Sequence, residues 1–363
     1  MKDRIKRIFS NLKSEPDAII IKNSDEHHID ENFFYVTNLT QGLFEGSIAV
    51  IFPDGNIDLV IPELEAESAR KADVNITIYK SEKEFYDILT KSVSSLQNIG
   101  LNFRAITLKD FLKLKDKLPN ADFFDASHGI EKTRLIKDDH EIKLITKACE
   151  IVDFVAKKIP ELINDGMHEY ELAAEINYLM QKKGADNSAF ETISSFGKNT
   201  AEPHYSHGEV QLNLGDFVLC DFGACFKKYN SDLTRTYIFG KARTQQKEMY
   251  ETVLRAQQIA FDKIRPGLKG NEIHNAVDTF IENTKFKGRF IHSTGHSLGL
   301  AVHDGGIRLS KNCDLELKEN MVFTIEPGVY IPEIGGVRIE DDVLIKKDGV
   351  ELLTNFSREL IEV

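Results

Sequence analysis

The sequence contains little cysteine and no long apolar run. Only four of its 363 residues are cysteine, and no two of them form a Cys-x-x-Cys pair, so the chain fits neither a disulfide scaffold nor a zinc knuckle. No segment approaches the roughly 18 apolar residues that span a bilayer, and no apolar run follows the charged N-terminus as it would in a secretory signal. These absences predict a cytoplasmic protein with reduced thiols.

An excess of basic residues is lacking as well. Acidic residues outnumber basic ones by 58 to 46, which gives a net charge of −12. Such a chain repels phosphate, so its charge argues against a nucleic-acid partner and against an anionic membrane surface. Hydrophobic residues nevertheless make up 41% of the chain, which excludes collagenous and wholly disordered classes. The length predicts two domains or one large domain.

The first third of the chain alternates short apolar runs with helical patterns. The predicted strands are 18–21, 33–36, 47–52, 57–61, 100–102 and 121–124, and the predicted helices are 63–71 and 81–96. This alternation predicts a small N-terminal α/β domain over residues 1–125.

Residues 126–363 have a different pattern of helices and strands and are predicted to form a second domain. It opens with a long charged helix at 137–158. Two later helices, 169–181 and 271–283, each follow a glycine-marked break and precede strands. The similarity of these two segments predicts an internal duplication, hence a pseudo-twofold core with a site between its halves.

Two aspartates interrupt neighbouring strand patterns in this second domain. Asp221 lies within a buried-strand run, and Asp232 begins the next strand. A hairpin between these strands would bring the two carboxylates side by side, where they repel unless a cation or a shared proton lies between them. An isolated aspartate at such a position is usually a turn or capping residue, so that alternative stays open.

Three histidines fall within the next polar segment. His292, His296 and His303 lie within twelve residues, beside Gly295 and Gly299, which allow a close approach of backbone to a ligand. Imidazole is both the commonest metal ligand and the base that works near neutral pH. The segment therefore favours a metal site or a proton-transfer site.

Two glutamates lie inside apolar strand patterns near the C-terminus. An unpaired carboxylate at Glu326 or Glu340 would cost several kcal/mol, and a nearby cation would remove that cost. Four carboxylates and one imidazole suit Mn²⁺ or another borderline divalent ion, and they are too many for one tetrahedral zinc. Two bridged ions are the natural use of five ligands.

Five motifs in this order resemble the pita-bread metallopeptidases, in particular their prolidase and aminopeptidase P branch. The motifs are CDFG, SDLTRT, GHSLGLAVHD, TIEPGVY and GVRIEDD. The resemblance implies an α+β chain in which a creatinase/prolidase-like domain precedes a pseudo-twofold catalytic domain, and it implies a homodimer. Methionine aminopeptidases share the ligands but usually lack both the N-terminal domain and the Gly-Val-Arg that precedes the last glutamate, so they match less well.

The resemblance also implies a role for each member of the candidate ligand set. Asp221 would bind one ion, Asp232 and Glu340 would bridge two ions, and His296 and Glu326 would bind the second. Glu326 would in addition accept the proton of the attacking water. The implied cofactors are two divalent ions per subunit, Mn²⁺ or Co²⁺ before Zn²⁺.

Further residues match the family's groups around the substrate. His204 matches its substrate-side histidine, and His303 and His292 match its histidines around the scissile carbonyl. His204 or His303 would donate a hydrogen bond to the oxyanion. Arg338 matches an arginine that supports substrate and bridging ligands. Tyr330 is interpreted as a wall of the pocket for the proline ring.

The function implied by the resemblance is hydrolysis of the peptide bond that precedes proline, as an Xaa-Pro dipeptidase. An Xaa-Pro aminopeptidase that acts on longer peptides is the first alternative, because loops or a partner subunit decide the substrate length. A non-catalytic peptide-binding module and a metal-free creatinase-like hydrolase of C–N bonds share the fold. The filled ligand positions argue against both.

Overall fold

The chain divides into two units at Arg134. The structure is a computed structural model that describes residues 2–363, and its C-terminal unit is Leu135–Val363. The division comes later than the predicted boundary after residue 125. A helix at Ser127–Leu135 accounts for the difference, because Thr133 accepts a hydrogen bond from Asn11 and Arg134 donates one to Asn32.

The N-terminal unit is built on a mixed sheet. Its helices are α1 (Lys2–Ser10), α2 (Glu31–Thr37), α3 (Ala66–Ala69), α4 (Glu82–Val93), α5 (Leu108–Lys117) and α6 (Ser127–Leu135). Its strands are β1 (Ala18–Lys22), β2 (Ile48–Ile51), β3 (Ile57–Pro62), β4 (Asn75–Tyr79), β5 (Asn98–Leu101) and β6 (Asp122–Asp125). The strand order is β4-β3-β2-β1-β5-β6, and only β2 runs antiparallel to its neighbours. The predicted α/β class is confirmed.

The strand predicted at 33–36 is wrong, because these residues form the helix α2. The Asp30 side chain caps the helix start by accepting the backbone N–H of Asn32, and Asn38 ends the helix in the left-handed region at φ 56°. The aromatic residues of this stretch are buried within the unit. Their strand propensity is therefore overridden by capping and packing.

The C-terminal unit repeats one arrangement of helices and strands. Its helices are α7 (Asp139–Ala156), α8 (Ile159–Leu162), α9 (Glu169–Lys182), α10 (Thr244–Lys263) and α11 (Gly270–Glu282). The strands of its first half are β7 (Asn187–Ser188), β8 (Ile193–Phe196), β9 (Phe217–Phe222), β10 (Ala224–Phe226), β11 (Tyr229–Asn230) and β12 (Leu233–Ile238). Those of its second half are β13 (Val322–Ile325), β14 (Gly328–Ile331), β15 (Gly335–Arg338), β16 (Asp341–Lys346) and β17 (Gly349–Leu352).

Each half packs a pair of helices on antiparallel strands. In the first half, α7 and α9 share an apolar core with the sheet β12-β9-β8. In the second half, α10 and α11 share a core with the sheet β13-β16-β17 and the hairpin β14-β15. This repetition agrees with the predicted duplication. Within residues 2–363, no helix is both long enough and apolar enough to cross a membrane.

Candidate active site

Asp221 and Asp232 lie on one face of the β9-β12 pair. Asp221 is paired with Thr234, and Asp232 precedes Thr234 by two residues, so the period-two alternation directs both carboxylates to the same side as diagonal neighbours. Both residues are buried. In the described part of the chain, Oδ1 of each aspartate is a buried atom without a hydrogen-bond partner. Each carboxylate thus keeps one oxygen available for a ligand.

Glu326 and Glu340 come from the second half. Glu326 directly follows β13, and its backbone N–H donates to the Thr294 carbonyl at 2.8 Å. Glu340 lies between β15 and β16, where its N–H donates to the Thr234 carbonyl at 3.1 Å and its Oε2 accepts from the Thr234 hydroxyl at 2.6 Å. Thr234 therefore fixes a glutamate of the second half beside the aspartates of the first.

His296 presents an unprotonated nitrogen to the carboxylates. Its Nδ1 lies 3.3 Å from the Ser297 carbonyl, which only accepts, so Nδ1 carries the ring proton. The lone pair of Nε2 then faces Asp232 Oδ2 at 3.5 Å and Glu326 Oε1 at 3.8 Å. Ligand atoms of Asp232, His296 and Glu340 all lie within 4.8 Å of one another. Lone pairs of an imidazole and of carboxylates converge here, which is the donor arrangement of a cation site.

The pKa values of the candidate ligands also favour a cation site. Burial raises the pKa of Asp232 and that of Glu340 well above their usual values, and the neighbouring carboxylates raise them further. Burial also raises the pKa of Glu326 to about 8, an effect that Arg338 opposes and Asp221 reinforces. Burial, with His303 nearby, lowers the pKa of His296 to about 3 and keeps the imidazole neutral. Buried, mutually repelling carboxylates and a neutral imidazole fit divalent cations.

Arg338 connects the ligand set to the substrate-side residues. Its guanidinium donates to Asp221 Oδ2 at 2.5 Å, to the Thr234 hydroxyl at 3.1 Å and to the Tyr330 hydroxyl at 2.9 Å. The Tyr330 oxygen also lies 2.8 Å from His292 Nε2, while His292 Nδ1 lies 2.8 Å from the Ser293 carbonyl. Burial lowers the pKa of His292 to about 3, so this imidazole is neutral.

The identity of each donor and acceptor fixes where the protons lie along this series of hydrogen bonds. The arginine donates to the Tyr330 oxygen, the Tyr330 hydroxyl donates to His292 Nε2, and His292 Nδ1–H donates to the backbone carbonyl. Tyr330, interpreted from the sequence as a pocket wall, is only 3% exposed and has its hydroxyl engaged on both sides. In this structure it connects Arg338 to His292.

His303 and His204 flank the ligand set. The His303 ring stands perpendicular to the His296 ring, with the two centroids 4.4 Å apart. Burial lowers the pKa of His303, and Arg308 and His204 lower it further. His204 is exposed in the loop that follows β8, and it is near enough to His303 and His292 to lower the pKa of each. The structure thus gathers all the residues singled out in the sequence into one region of the C-terminal unit.

Two residues of this region escaped the sequence analysis. Thr234 bonds both Glu340 and Arg338, and its position two residues after Asp232 on the same strand face is the signal that would have found it. Asp342 is fully buried, and its Oδ2 accepts the backbone N–H of Asp232 at 2.8 Å and the Cys149 thiol at 3.3 Å. No local pattern signals that bond, because its partners are 110 residues apart.

Comparison with known proteins covers both units. Residues 143–347 match metallopeptidase family M24, and residues 4–136 match the creatinase/prolidase N-terminal domain. The chain is 37% identical to an Xaa-Pro dipeptidase of Pyrococcus horikoshii, over 99% of each protein.

Solved structures agree with this assignment over nearly the whole chain. X-Pro aminopeptidase from Thermotoga maritima MSB8 superposes with a TM-score of 0.92 at 31% identity, covering 99% of this chain and 100% of that one. Prolidase from Pyrococcus horikoshii OT3 superposes with a TM-score of 0.89 at 36% identity and the same coverage. The resemblance inferred from the five motifs is confirmed, and the chain belongs to metallopeptidase family M24, as a divalent-metal peptidase of the prolidase branch with a creatinase/prolidase N-terminal domain.

Proposed function

We propose that this metallopeptidase is an Xaa-Pro dipeptidase that holds two divalent ions in the candidate ligand set. The observation that carries the proposal is the convergence of buried carboxylates on the unprotonated nitrogen of His296, 3.5 Å from Asp232 and 3.8 Å from Glu326. The similarity to an Xaa-Pro dipeptidase over 99% of both chains supports the substrate.

A charge count favours two ions over one. Asp221, Asp232, Glu326 and Glu340 carry a formal charge of −4 when ionised, and Arg338, paired with Asp221, brings the cluster to −3, which a single divalent cation leaves with an uncompensated negative charge. Mostly oxygen ligands with a single nitrogen favour Mn²⁺ or Co²⁺, with Zn²⁺ less suited. When bound, such ions lower the pKa of a water and stabilise negative charge on a carbonyl oxygen.

The side chains around the ions divide the remaining work. Glu326 is 16% exposed at its side chain and so is accessible to substrate, and it takes the proton of the attacking water and passes it to the leaving nitrogen. His303 or His204 donates a hydrogen bond to the carbonyl oxygen as charge develops there. The Arg338–Tyr330 contact holds His292 in one orientation beside the scissile bond.

Selectivity for proline depends on the absence of an N–H group on the nitrogen of the scissile bond. The nitrogen of an Xaa-Pro bond carries no N–H, so recognition depends on a pocket that accepts the ring and not on a hydrogen-bond acceptor. An Xaa-Pro aminopeptidase is the second candidate, because the Thermotoga maritima X-Pro aminopeptidase superposes at a TM-score of 0.92. The two candidates differ in the substrate length that they accept.

The experiment that separates them compares an Xaa-Pro dipeptide with the matching Xaa-Pro-Yaa tripeptide under added Mn²⁺, Co²⁺ and Zn²⁺. We expect the dipeptide to have the higher kcat/KM, with an Xaa-Ala dipeptide as the control for proline. Faster cleavage of the tripeptide would make the protein an aminopeptidase. No hydrolysis and no bound ions would leave a binding module.

We also propose that the protein is a cytoplasmic homodimer. Among the described residues, Cys149, Cys220 and Cys313 form no disulfide, which suits a reducing compartment. The family resemblance supports the dimer. Sedimentation at micromolar concentration tests it, because a 41.1 kDa species would be the monomer.

A further inference from the structure

Lys22 occupies a position in the N-terminal unit where an apolar residue is expected. It ends β1 on the same strand face as Ala18 and Ile20, both of which belong to the apolar layer under α4 and α5. Its side chain follows them into that layer, and the residue is only 8% exposed. A buried ammonium is costly unless something compensates its charge.

The protein compensates that charge only in part. The Lys22 ammonium donates to the carbonyl of Asn23 and lies 5.3 Å from the centroid of the Phe85 ring. In the described part of the chain it forms no ion pair with a carboxylate within 4 Å, so Asp110 and Glu82 act on it only from farther away. Since an ammonium has three N–H donors, two remain for a ligand.

A cavity of about 180 Å³ adjoins this ammonium, and we call it the Lys22 pocket. Lys22, Ser24, Tyr79, Glu82, Lys109 and Lys113 are among the residues that line it. It lies at the carboxyl ends of β1 and β4, which run in the same direction, beside the first turns of α4 and α5. Open α/β sheets bind ligands at this edge. At about 30 Å³ per water the pocket holds about six waters, enough for a small ion and too little for a nucleotide.

The carboxylates that line the pocket are already engaged. Glu82 forms an ion pair with Lys113, and Asp110 Oδ2 accepts the Thr107 hydroxyl at 2.7 Å. Lys109 is exposed and has no ion-pair partner among the described residues. Three lysines against two carboxylates leave the pocket with an excess of one positive charge.

We propose that the Lys22 pocket binds a small oxyanion, either an inorganic one such as sulfate or phosphate or the carboxylate of a small organic acid. Lys22 supplies the buried charge and two N–H donors, and Lys109 adds a second cation at the pocket mouth. The ring of Phe85 and the neighbouring tyrosines shield the contact from water, which strengthens it.

The protonation of Lys22 makes the anion affinity of this site depend on pH. Burial lowers the pKa of Lys22 to about 8, with Asp110 and Glu82 raising it and Lys113 and Lys109 lowering it. Tyr79 and Tyr86, which also line the pocket, have raised pKa values and stay neutral through this range. An anion binds the charged form of the Lys22 amine. The affinity of the site for the anion is therefore constant below pH 8 and falls by about tenfold for each pH unit above pH 8.

Calorimetric titration of the full chain with sulfate, at constant ionic strength, tests the site. Sulfate keeps its charge across this pH range, so any change of affinity with pH comes from a group of the protein. We expect one saturable site per chain, at least tenfold weaker in Lys22→Met, several-fold weaker in Lys109→Met and unchanged in Lys91→Met, an exposed control on α4. Tighter binding of acetate than of sulfate would assign the site to organic carboxylates, and the reverse to inorganic anions.

Three results would overturn the proposal. The first is no saturable binding of either anion to the wild-type chain, and the second is wild-type affinity in Lys22→Met. The third is an affinity for sulfate that stays constant from pH 7 to pH 10. This third measurement uses only the wild-type protein and decides the question even if Lys22→Met does not fold.

Discussion

Replacing Glu326 by glutamine should stabilise the metal-free protein while it destroys the enzyme. The usual pKa of a glutamate is 4.5, and burial raises that of Glu326 to about 8 in the folded chain. An acid whose pKa is higher in the folded state binds its proton more tightly there, so its contribution to stability is intact below pH 4.5 and is lost progressively up to pH 8. The value pH 7 lies about 2.5 units above the unfolded-state pKa of 4.5. At about 1.36 kcal/mol per unit, Glu326 therefore lowers the free energy of unfolding by about 3 kcal/mol at pH 7.

Glu326→Gln removes this cost because an amide does not ionise. The C-terminal unit has about 230 residues, for which 1 kcal/mol shifts Tm by about 2–4 °C, so the metal-free variant should melt about 6–12 °C higher at pH 7. At pH 5, which lies only about 0.5 unit above the unfolded value, the difference should shrink to about 0.7 kcal/mol, or about 1–3 °C. With Mn²⁺ present the order reverses, because the variant has lost a ligand and gains less from the metal. Hydrolysis should fall by at least 100-fold.

Thermal unfolding of chelator-treated protein between pH 5 and pH 8 is the assay. Glu319→Gln is the matched control, since Glu319 is exposed and its substitution should move stability by no more than about 0.5 kcal/mol. A metal-free Glu326→Gln protein that melts below the wild type at pH 7, or that keeps the wild-type pH dependence, would refute the electrostatic reasoning about this site.

Three further predictions concern the same site. Asp232→Ala and Glu340→Ala should each abolish activity and reduce the metal content measured by elemental analysis, since each removes a ligand from the clustered set; turnover near that of the wild type in either variant would argue against two bridged ions. His303→Ala should keep the metal content and lower kcat, because its ring stands beside His296 and is assigned to the transition state; loss of metal would identify it as a ligand. Adding Mn²⁺ to metal-free protein at pH 7 should release protons into a weakly buffered solution, because Asp232 and Glu340 have raised pKa values; binding without release would contradict those shifts.

The candidate ligand set could be proposed from the sequence because several of its members conflict with their local pattern. A carboxylate inside an apolar strand, as at Asp221 or Glu326, is costly in a folded core, and the cost itself indicates a ligand. The order of the five motifs then identified the family, which the comparisons confirm.

The remaining contacts depend on partners far apart in the chain. Thr234 bonds Glu340 across 106 residues, and Asp342 holds the backbone of Asp232 across 110 residues. Such pairs are set by the packing of the two halves, which no window of sequence contains. The error at residues 33–36 has the opposite origin, because there a local aromatic signal was outweighed by a helix cap at Asp30.

The most direct test of the account is the number of ions that the active enzyme requires. Metal-free protein is titrated with Mn²⁺ while hydrolysis of an Xaa-Pro dipeptide and bound metal are measured on the same samples. We predict that activity rises until two ions are bound per chain and then stays constant. Full activity with one ion per chain, or with none, would contradict a two-ion site built from the four carboxylates and His296.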